Sequence, residues 1–218
     1  YLVAGNWKMN GSSAANADLL DGILAGAPDA DDVELLVCPP FPYLSAAAVR
    51  LAGSRVALGA QTVSEHESGA FTGEIAPSML RDVGCSYVIV GHSERRALYG
   101  ETSAAVAAKF GAAKRAGLVP ILCVGESLAE REAGNTEKVI DEQLDAVLET
   151  AGIEGISGAV FAYEPVWAIG TGKTASPEQA GAVHEHIRGR LREKDEDVAN
   201  ATRILYGGSV KGDNGAGL

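Results

Sequence analysis

The sequence predicts an α/β fold with a parallel sheet, and three observations support this prediction. Short apolar runs rich in β-branched residues alternate with longer segments of helical period. The runs are apolar on both faces, as buried parallel strands are. Successive runs lie roughly 34 residues apart, which is the length of one βαβ unit. Two architectures satisfy this alternation, a doubly wound open sheet and a (β/α)8 barrel.

Seven runs predict the strands, and polar or glycine-rich residues follow several of them. The runs are Leu2–Ala4, Val33–Cys38, Val56–Leu58, Tyr87–Val90, Val119–Val124, Gly158–Tyr163 and Arg203–Tyr206. No Gly-x-Gly-x-x-Gly motif follows the first run, which counts against a nucleotide-binding open sheet. Both architectures place functional residues at the carboxyl ends of their strands, so that position does not decide between them.

Amphipathic segments between the runs predict the helices. Ser176 is a predicted N-cap, because Pro177 after it suits the first helical position. Thr102 is a second predicted N-cap, and Gly117 is a predicted C-terminal stop. Since no break in composition marks a linker, residues 1–218 are expected to form a single domain. The predicted helices are Ala14–Ala25, Tyr43–Leu51, Ser103–Ala116, Thr136–Glu149 and Pro177–Lys194.

Composition and charge exclude several classes of protein. The 218 residues are 46% apolar and 22% charged, which is typical of a globular protein. A net charge of -11 argues against nucleic acid or an anionic membrane as a partner. No signal peptide is expected, and no apolar segment approaches the roughly 20 residues of a membrane helix. The three scattered cysteines fit a reducing cytoplasm and predict neither disulfides nor zinc.

Charged side chains follow two of the predicted strands at the points where these enter loops. Lys8, after the first strand, either binds an anion or extends its charge to water. His92 follows the fourth strand before a possible helical turn, and a helix N-terminus disfavours the protonated imidazole. A neutral His92 could donate a hydrogen bond to a substrate carbonyl, although a structural histidine fits equally well. Glu94, Arg95 and Arg96 are predicted to be ion-paired structural residues.

The sixth and seventh strands lead into further candidate residues. Glu164 lies where the sixth strand enters a loop, so its carboxylate is expected to be partly buried. Such a carboxylate is either a general base or an ion-paired structural residue. Pro165–Thr174 has a stiff start, an apolar middle and a glycine-rich end, as expected for a lid rather than an ordinary loop. Gly207, Gly208 and Ser209 either bring backbone N–H groups to a phosphate or form a tight turn. Functional groups at the ends of several strands favour the barrel enzyme.

These motifs, in this order, resemble the triosephosphate isomerase family. The resemblance runs from Leu2 to Leu218 and implies a TIM barrel, the (β/α)8 fold. It implies interconversion of dihydroxyacetone phosphate and glyceraldehyde 3-phosphate in glycolysis and gluconeogenesis, without cofactor or metal. It also implies a cytoplasmic homodimer or other homo-oligomer. The matching stretches are Asn6–Gly11, Gly91–Arg96, Ala162–Gly172 and Tyr206–Val210.

The resemblance also implies a role for each catalytic candidate. Glu164 would be the base that moves the proton, and His92 would be the neutral electrophile. Lys8 would attract the phosphorylated substrate and stabilise enediolate charge. Asn6 would orient this site, and Glu94 would support it from a position near Lys8 and His92.

The remaining implied roles concern the phosphate and the subunit contact. Gly170, Gly208 and Ser209 would bind the substrate phosphate, and Pro165–Thr174 would be the closing lid. The loop Gln61–Glu74, by this resemblance, would enter the neighbouring subunit, where Thr72 would support its site. The simpler interpretation of that loop is an exposed segment with one stray aromatic side chain.

The chain departs from the family pattern in its number of strand-like runs. Only Lys211–Leu218 follows Val210, so the eighth strand, its helix and its phosphate-binding glycine turn are expected to be missing. A barrel needs every strand to close, and exposed edges are therefore expected on the first and seventh strands.

We therefore expect a C-terminally truncated, incomplete barrel with reduced or lost activity, unless the natural chain is longer. The alternative is a non-catalytic remnant that binds an anion or self-assembles. A Schiff-base aldolase is disfavoured, because no lysine lies inside an apolar run.

Overall fold

The alternation of strands and helices follows the prediction. The computed structural model describes residues 1–28, 30–169, 174–210, 212, 214 and 215. Within them, seven strands occur, and their order in the sheet follows the chain. The chain divides into two compact units, Tyr1–Val90 with Ala112–Pro120, and Gly91–Gly111 with Ile121–Leu218.

The first unit contains four strands and three whole helices among its described residues. Its three strand pairs are parallel, and Asn6 lies opposite Cys38 where the first two strands end. A short 3-10 helix, Phe41–Tyr43, precedes the second helix. The strands are β1 (Leu2–Asn6), β2 (Glu34–Cys38), β3 (Val56–Ala60) and β4 (Tyr87–Val90), and the helices are α1 (Ser13–Gly26), α2 (Leu44–Leu51) and α3 (Pro77–Asp82).

The second unit contains the remaining strands and helices, including most of α5 and β5. Its strands pair in parallel, with Val124 opposite Tyr163 and Tyr163 opposite Tyr206. A short 3-10 helix, Val166–Ala168, follows the second of these strands. The strands are β5 (Val119–Val124), β6 (Val160–Tyr163) and β7 (Arg203–Tyr206), and the helices are α4 (Ser93–Tyr99), α5 (Ser103–Arg115), α6 (Leu128–Glu132), α7 (Thr136–Ile156), α8 (Pro177–Arg192) and α9 (Glu196–Ala201).

Burial matches the sequence prediction for the middle strands but not for β1 or for β7, whose four residues are all only partly buried. Every residue of β4 and β6 is buried, as expected for parallel strands covered on both faces. In β1, Leu2 is buried whereas Val3 is 59% exposed, so one face of this strand lacks cover. The physical reason is its place in the sheet, since β1 is first in the strand order and β2 is its neighbour there.

Three predicted helix ends are confirmed by the local geometry, whereas α7 continues past its predicted end at Glu149 to Ile156. The Ser176 hydroxyl accepts from the Gln179 amide, and the Gln179 side chain accepts in return from the Ser176 amide, which is a capping box. The Thr102 hydroxyl accepts from the Ala105 amide at 3.2 Å. Gly117 adopts φ +74°, the left-handed conformation with which glycine ends helices.

Three helices, α3, α6 and α9, were absent from the sequence prediction, and α4 was expected only as a possible helical turn after His92. Each has only five to seven residues, which is too short for a helical period to stand out. A signal existed for α6, because Ser127 and Glu130 form a capping box at its start. None of the helices in the described segments is long and apolar enough to cross a membrane.

Candidate active site

The second unit brings His92 and Glu164 together, as the sequence analysis expected. The imidazole Nε2 of His92 lies 2.9 Å from the carboxylate Oε1 of Glu164, and both side chains are buried. The other carboxylate oxygen, Oε2, accepts from the backbone amide of Ser93 at 2.8 Å. The two residues follow β4 and β6, so the strand ends place them.

The hydrogen bonds around His92 assign its tautomer. His92 is the N-cap of α4, and its Nδ1 accepts from the backbone amide of Glu94 at 3.2 Å. A nitrogen that accepts carries no proton, so the proton of the neutral ring lies on Nε2. The Nε2–H group therefore faces the Glu164 carboxylate, where it can serve as a hydrogen-bond donor. The Glu94 carboxylate lies 3.7 Å from the same Nδ1, consistent with the predicted position behind His92.

The backbone of Glu164 is held by the end of β5. Its amide donates to the carbonyl of Val124 at 2.7 Å. Gly125 approaches so closely that a Cβ atom on it would lie 1.7 Å from the Glu164 carbonyl oxygen. On the other side, a Cβ atom on Gly207 would lie 3.0 Å from Cγ of Glu164. Two glycines thus allow the close packing that positions this carboxylate.

The predicted phosphate turn and the predicted lid are in contact. Ser209 donates through its hydroxyl to the carbonyl of Ala168 at 3.3 Å. A Cβ atom on Gly208 would overlap the Tyr206 ring, so close packing also explains the glycine there. The Tyr206 hydroxyl accepts from the amide of Ala175 at 3.1 Å, just beyond the predicted lid. Gly170, the third predicted phosphate ligand, lies outside the described residues.

In the first unit, Asn6 is the last residue of β1, and Lys8 lies two residues further along the chain. The Lys8 amide donates to Oδ1 of Asn6 at 3.0 Å. Lys8 has φ +51°, which non-glycine residues rarely adopt and which often marks a functional site. Gln61, which the sequence analysis missed, donates from Nε2 to the carbonyl oxygens of Lys8 and Cys38 at 2.9 and 2.8 Å. The side chain of Gln61 therefore holds the unusual Lys8 backbone.

The predicted subunit loop, also in the first unit, carries an exposed aromatic side chain. Thr72 is exposed, and Phe71 beside it is 42% exposed. The Phe71 ring stacks on His66 with centroids 3.7 Å apart. The Ser64 amide donates to the carbonyl of Ile75 at 2.9 Å and closes the base of the loop.

The prediction of ion pairing holds for Arg95 but is wrong for Arg96. Arg95 contacts the buried carboxylate of Glu101. Among the described residues, Arg96 instead donates to neutral groups, the carbonyl oxygens of Gly91 and Cys123 and the hydroxyl of Ser103. The physical reason is local geometry, because these carbonyls point towards its guanidinium group from two strand ends.

Sequence reasoning also missed Glu126, which is completely buried. Its Oε1 accepts from Tyr163, Arg131 and Trp167 at 3.0 to 3.1 Å. Burial, together with the nearby Glu126 carboxylate, raises the pKa of Tyr163, so its hydroxyl stays protonated and donates. A usable signal was present, since Glu126 is a charged residue within two positions of the end of a strand, as Lys8 and Glu164 also are.

In the part of the chain that the structure describes, no group of three or more His, Cys, Asp or Glu side chains could hold a metal ion. The buried His92–Glu164 pair can act in proton transfer, since it combines a carboxylate with an N–H donor.

Comparison with known proteins agrees with this chemistry. A family model described as triosephosphate isomerase matches residues 1–218. A triosephosphate isomerase of Thiobacillus denitrificans is 64% identical over 217 residues, covering 100% of this chain and 86% of that protein. One from Dechloromonas aromatica is 62% identical over 98% of this chain and 85% of its own length. One from Alcanivorax borkumensis is 58% identical over 99% and 85%, respectively. The chain therefore belongs to the triosephosphate isomerase family, whose fold is the TIM barrel.

Proposed function

We propose that this chain interconverts dihydroxyacetone phosphate and glyceraldehyde 3-phosphate, a step of glycolysis and gluconeogenesis. The observation that carries the proposal is the buried pair of His92 Nε2 and Glu164 Oε1, 2.9 Å apart, in a chain of this family. The relatives are isomerases over the whole length of this chain. A non-catalytic remnant that binds an anion is therefore not favoured.

The proposed mechanism is a proton transfer between adjacent carbons. The Glu164 carboxylate removes a proton from the carbon beside the carbonyl, and the electron pair of that C–H bond forms an enediolate. A proton then passes from the hydroxyl oxygen to the former carbonyl oxygen, and the same carboxyl group returns a proton to the neighbouring carbon. With both proton shifts, atoms and electrons balance without a cofactor. For this step, the substrate C–H group has to replace one of the two donors, His92 or Ser93, that Glu164 holds.

Further residues are assigned to stabilisation of the enediolate and to binding of the substrate phosphate. The Nε2–H of His92 donates to the carbonyl oxygen as negative charge develops there. The ammonium group of Lys8 supplies a positive charge, and Asn6 supports Lys8 through the bond to its amide. The backbone of Gly208 and the hydroxyl of Ser209 are proposed phosphate ligands, together with Gly170.

The proposal is tested by a coupled isomerase assay on the purified chain and two variants. Glu164→Asp shortens the base, and His92→Gln replaces the imidazole donor. Loss of a positioned acid or base is expected to lower kcat about 10²- to 10⁴-fold. Glu185→Gln, whose wild-type side chain is 70% exposed, is the matched control and should retain full activity. Activity that survives both site substitutions contradicts the proposal.

We further propose a homodimer in the cytoplasm. The support is the exposed loop with Phe71 and Thr72, and the exposed apolar side chain of Met9, which is 95% accessible. Sedimentation should give a mass of about twice 22.4 kDa, because burying such side chains stabilises association. Phe71→Ser should weaken the dimer. A mass of 22.4 kDa at every concentration would overturn this assignment.

A further inference from the structure

We propose that Gln143, on α7, is a positioning residue for Glu164 and acts through the backbone of Gly125. The inference rests on the proposed function, which assigns Glu164 as the base. None of the sequence motifs contains Gln143.

The carboxamide of Gln143 makes both hydrogen bonds that the Gly125 backbone can offer. Gly125 donates its N–H to Oε1 of Gln143 at 2.8 Å. Nε2 of Gln143 donates to the carbonyl oxygen of Gly125 at 3.0 Å. This is the two-bond pairing that a neighbouring strand would supply, but here a side chain from a helix supplies it.

Gly125 is the central residue of the segment on which Glu164 rests. Val124, before it, accepts the Glu164 amide at 2.7 Å, and Glu126, after it, accepts the Val166 amide at 3.1 Å through its carbonyl. Gly125 itself lies so close to the Glu164 backbone that a Cβ atom on Gly125 would be 1.7 Å from the Glu164 carbonyl oxygen. The position therefore requires glycine.

Because position 125 requires glycine, the backbone there needs another group to hold it in place. Glycine has more backbone freedom than any other residue, so a segment centred on it is easily displaced. The Gln143 carboxamide removes this freedom by binding both polar groups of one residue. Because Glu164 packs directly on Gly125, a displacement of Gly125 would carry the Glu164 carboxylate away from His92 and Ser93. A displacement of 1 Å in a reacting group can lower the rate about 100-fold.

The test compares two substitutions of Gln143 in the full chain. Gln143→Met keeps the approximate size and removes both hydrogen bonds, and kcat should fall about 10- to 100-fold while KM changes less than about threefold. Gln143→Glu keeps the acceptor, and its protonated form regains a donor for the Gly125 carbonyl. Its kcat relative to wild type should therefore rise as the pH falls, whereas that of Gln143→Met should not.

Val147→Ala is the matched control, because Val147 is fully buried on the same helix and makes no side-chain hydrogen bond. It should lower the stability but leave kcat within about twofold of wild type, since it does not alter the support of Glu164. The proposal is overturned if Gln143→Met retains the wild-type kcat, or if Val147→Ala lowers kcat as much.

Amide hydrogen exchange tests the positioning role of Gln143 without relying on isomerase activity. In Gln143→Met, the Glu164 amide should exchange faster relative to the core amide of Phe161, whereas Val147→Ala should affect both equally. If the wild-type chain has no isomerase activity, the proposed function fails while this comparison still decides the positioning role. Equal exchange ratios in the two variants would overturn it.

Discussion

The indole Nε1 of Trp167 donates a hydrogen bond of 3.0 Å to Oε1 of Glu126, a carboxylate with no solvent exposure. Arg131 donates to the same oxygen and also stacks on the Trp167 ring, with its guanidinium carbon 4.8 Å from the ring centroid. The chain just after Glu164 is thereby tied to the end of β5. The start of the predicted lid thus has a defined anchor.

Trp167→Phe should destabilise the chain, because it removes one donor from a buried carboxylate. A hydrogen bond to a charged group contributes about 1.5–3 kcal/mol, and we expect the free energy of unfolding to fall by about that amount. Urea titration measures it. Tyr99→Phe is the control, since the Tyr99 side chain is largely exposed, and its effect should stay within about 0.5 kcal/mol. Equal effects in both variants would show that the Glu126 contact contributes nothing.

Gly125→Ala should damage both stability and activity. The new Cβ atom would lie 1.7 Å from the Glu164 carbonyl oxygen, so the backbone has to move. Overpacking typically costs about 1–3 kcal/mol, and the displaced base should lower kcat at least about tenfold. Unfolding and steady-state kinetics check the two effects separately.

The control for this change is Gly181→Ala in α8. Apart from its chain neighbours and the nearby helix backbone, no atom of the described residues lies within 4 Å of a Cβ atom at this position. Alanine there should stabilise the chain by about 0.4–1 kcal/mol and leave kcat unchanged. A wild-type kcat in Gly125→Ala would refute the close approach of Gly125 and Glu164.

Glu101 should be more important for stability than an ordinary surface carboxylate. It contacts Arg95 and lies 2.6 Å from Nζ of Lys109, and its side chain is 7% exposed. Burial alone would raise the pKa of Glu101, but the hydrogen bonds from Lys109 and Arg95 lower it overall. Glu101→Gln leaves the two cations without their anion, which should cost about 3–5 kcal/mol in urea unfolding.

Glu142→Gln serves as the control for Glu101→Gln. Its partner Lys138 is 3.9 Å away, and both side chains are mostly exposed. Exposed pairs on one helix contribute about 0.3–0.5 kcal/mol, so the loss should be no larger than that. Comparable losses for the two substitutions would mean that the Glu101 cluster is not buried as described.

His184 should make the stability depend on pH. Burial lowers the pKa of His184, a bond to the Leu205 backbone opposes this, and Arg188 adds to the lowering. Its Nε2 is buried and has no hydrogen-bond partner among the described residues. The unfolded chain therefore binds a proton more readily than the folded chain once the pH falls below about 6.5.

The free energy of unfolding should accordingly decrease as the pH falls below about 6.5, by at most about 1.36 kcal/mol per pH unit from this group. Above about pH 6.5, the contribution of His184 is constant because both states are neutral. His184→Gln should flatten the slope, and His66→Gln, on the exposed loop, should not. An unchanged slope in His184→Gln would exclude His184 as the source.

The strand pattern and the catalytic candidates could be predicted because they depend on local chemistry. All seven apolar runs form strands, since burial on both faces of a parallel sheet demands continuous apolar residues. His92 and Glu164 were identifiable as candidates because each is a titratable residue within two positions of such a run. Burial of a charged group at such a place requires either a partner or a function. The caps Ser176 and Thr102 were predictable for the same local reason.

Only the tertiary structure decided how these residues are supported. The contacts of Gln143 with Gly125, of Gln61 with Lys8, and of Trp167 with Glu126 join residues 18, 53 and 41 positions apart. Nothing in the local sequence marks such partners, because a glutamine in a helix looks the same whether it faces water or a backbone. The order of residues along the chain thus determined the strands, the family and the proposed reacting groups. Packing between distant segments decided which otherwise ordinary side chains hold those groups in place.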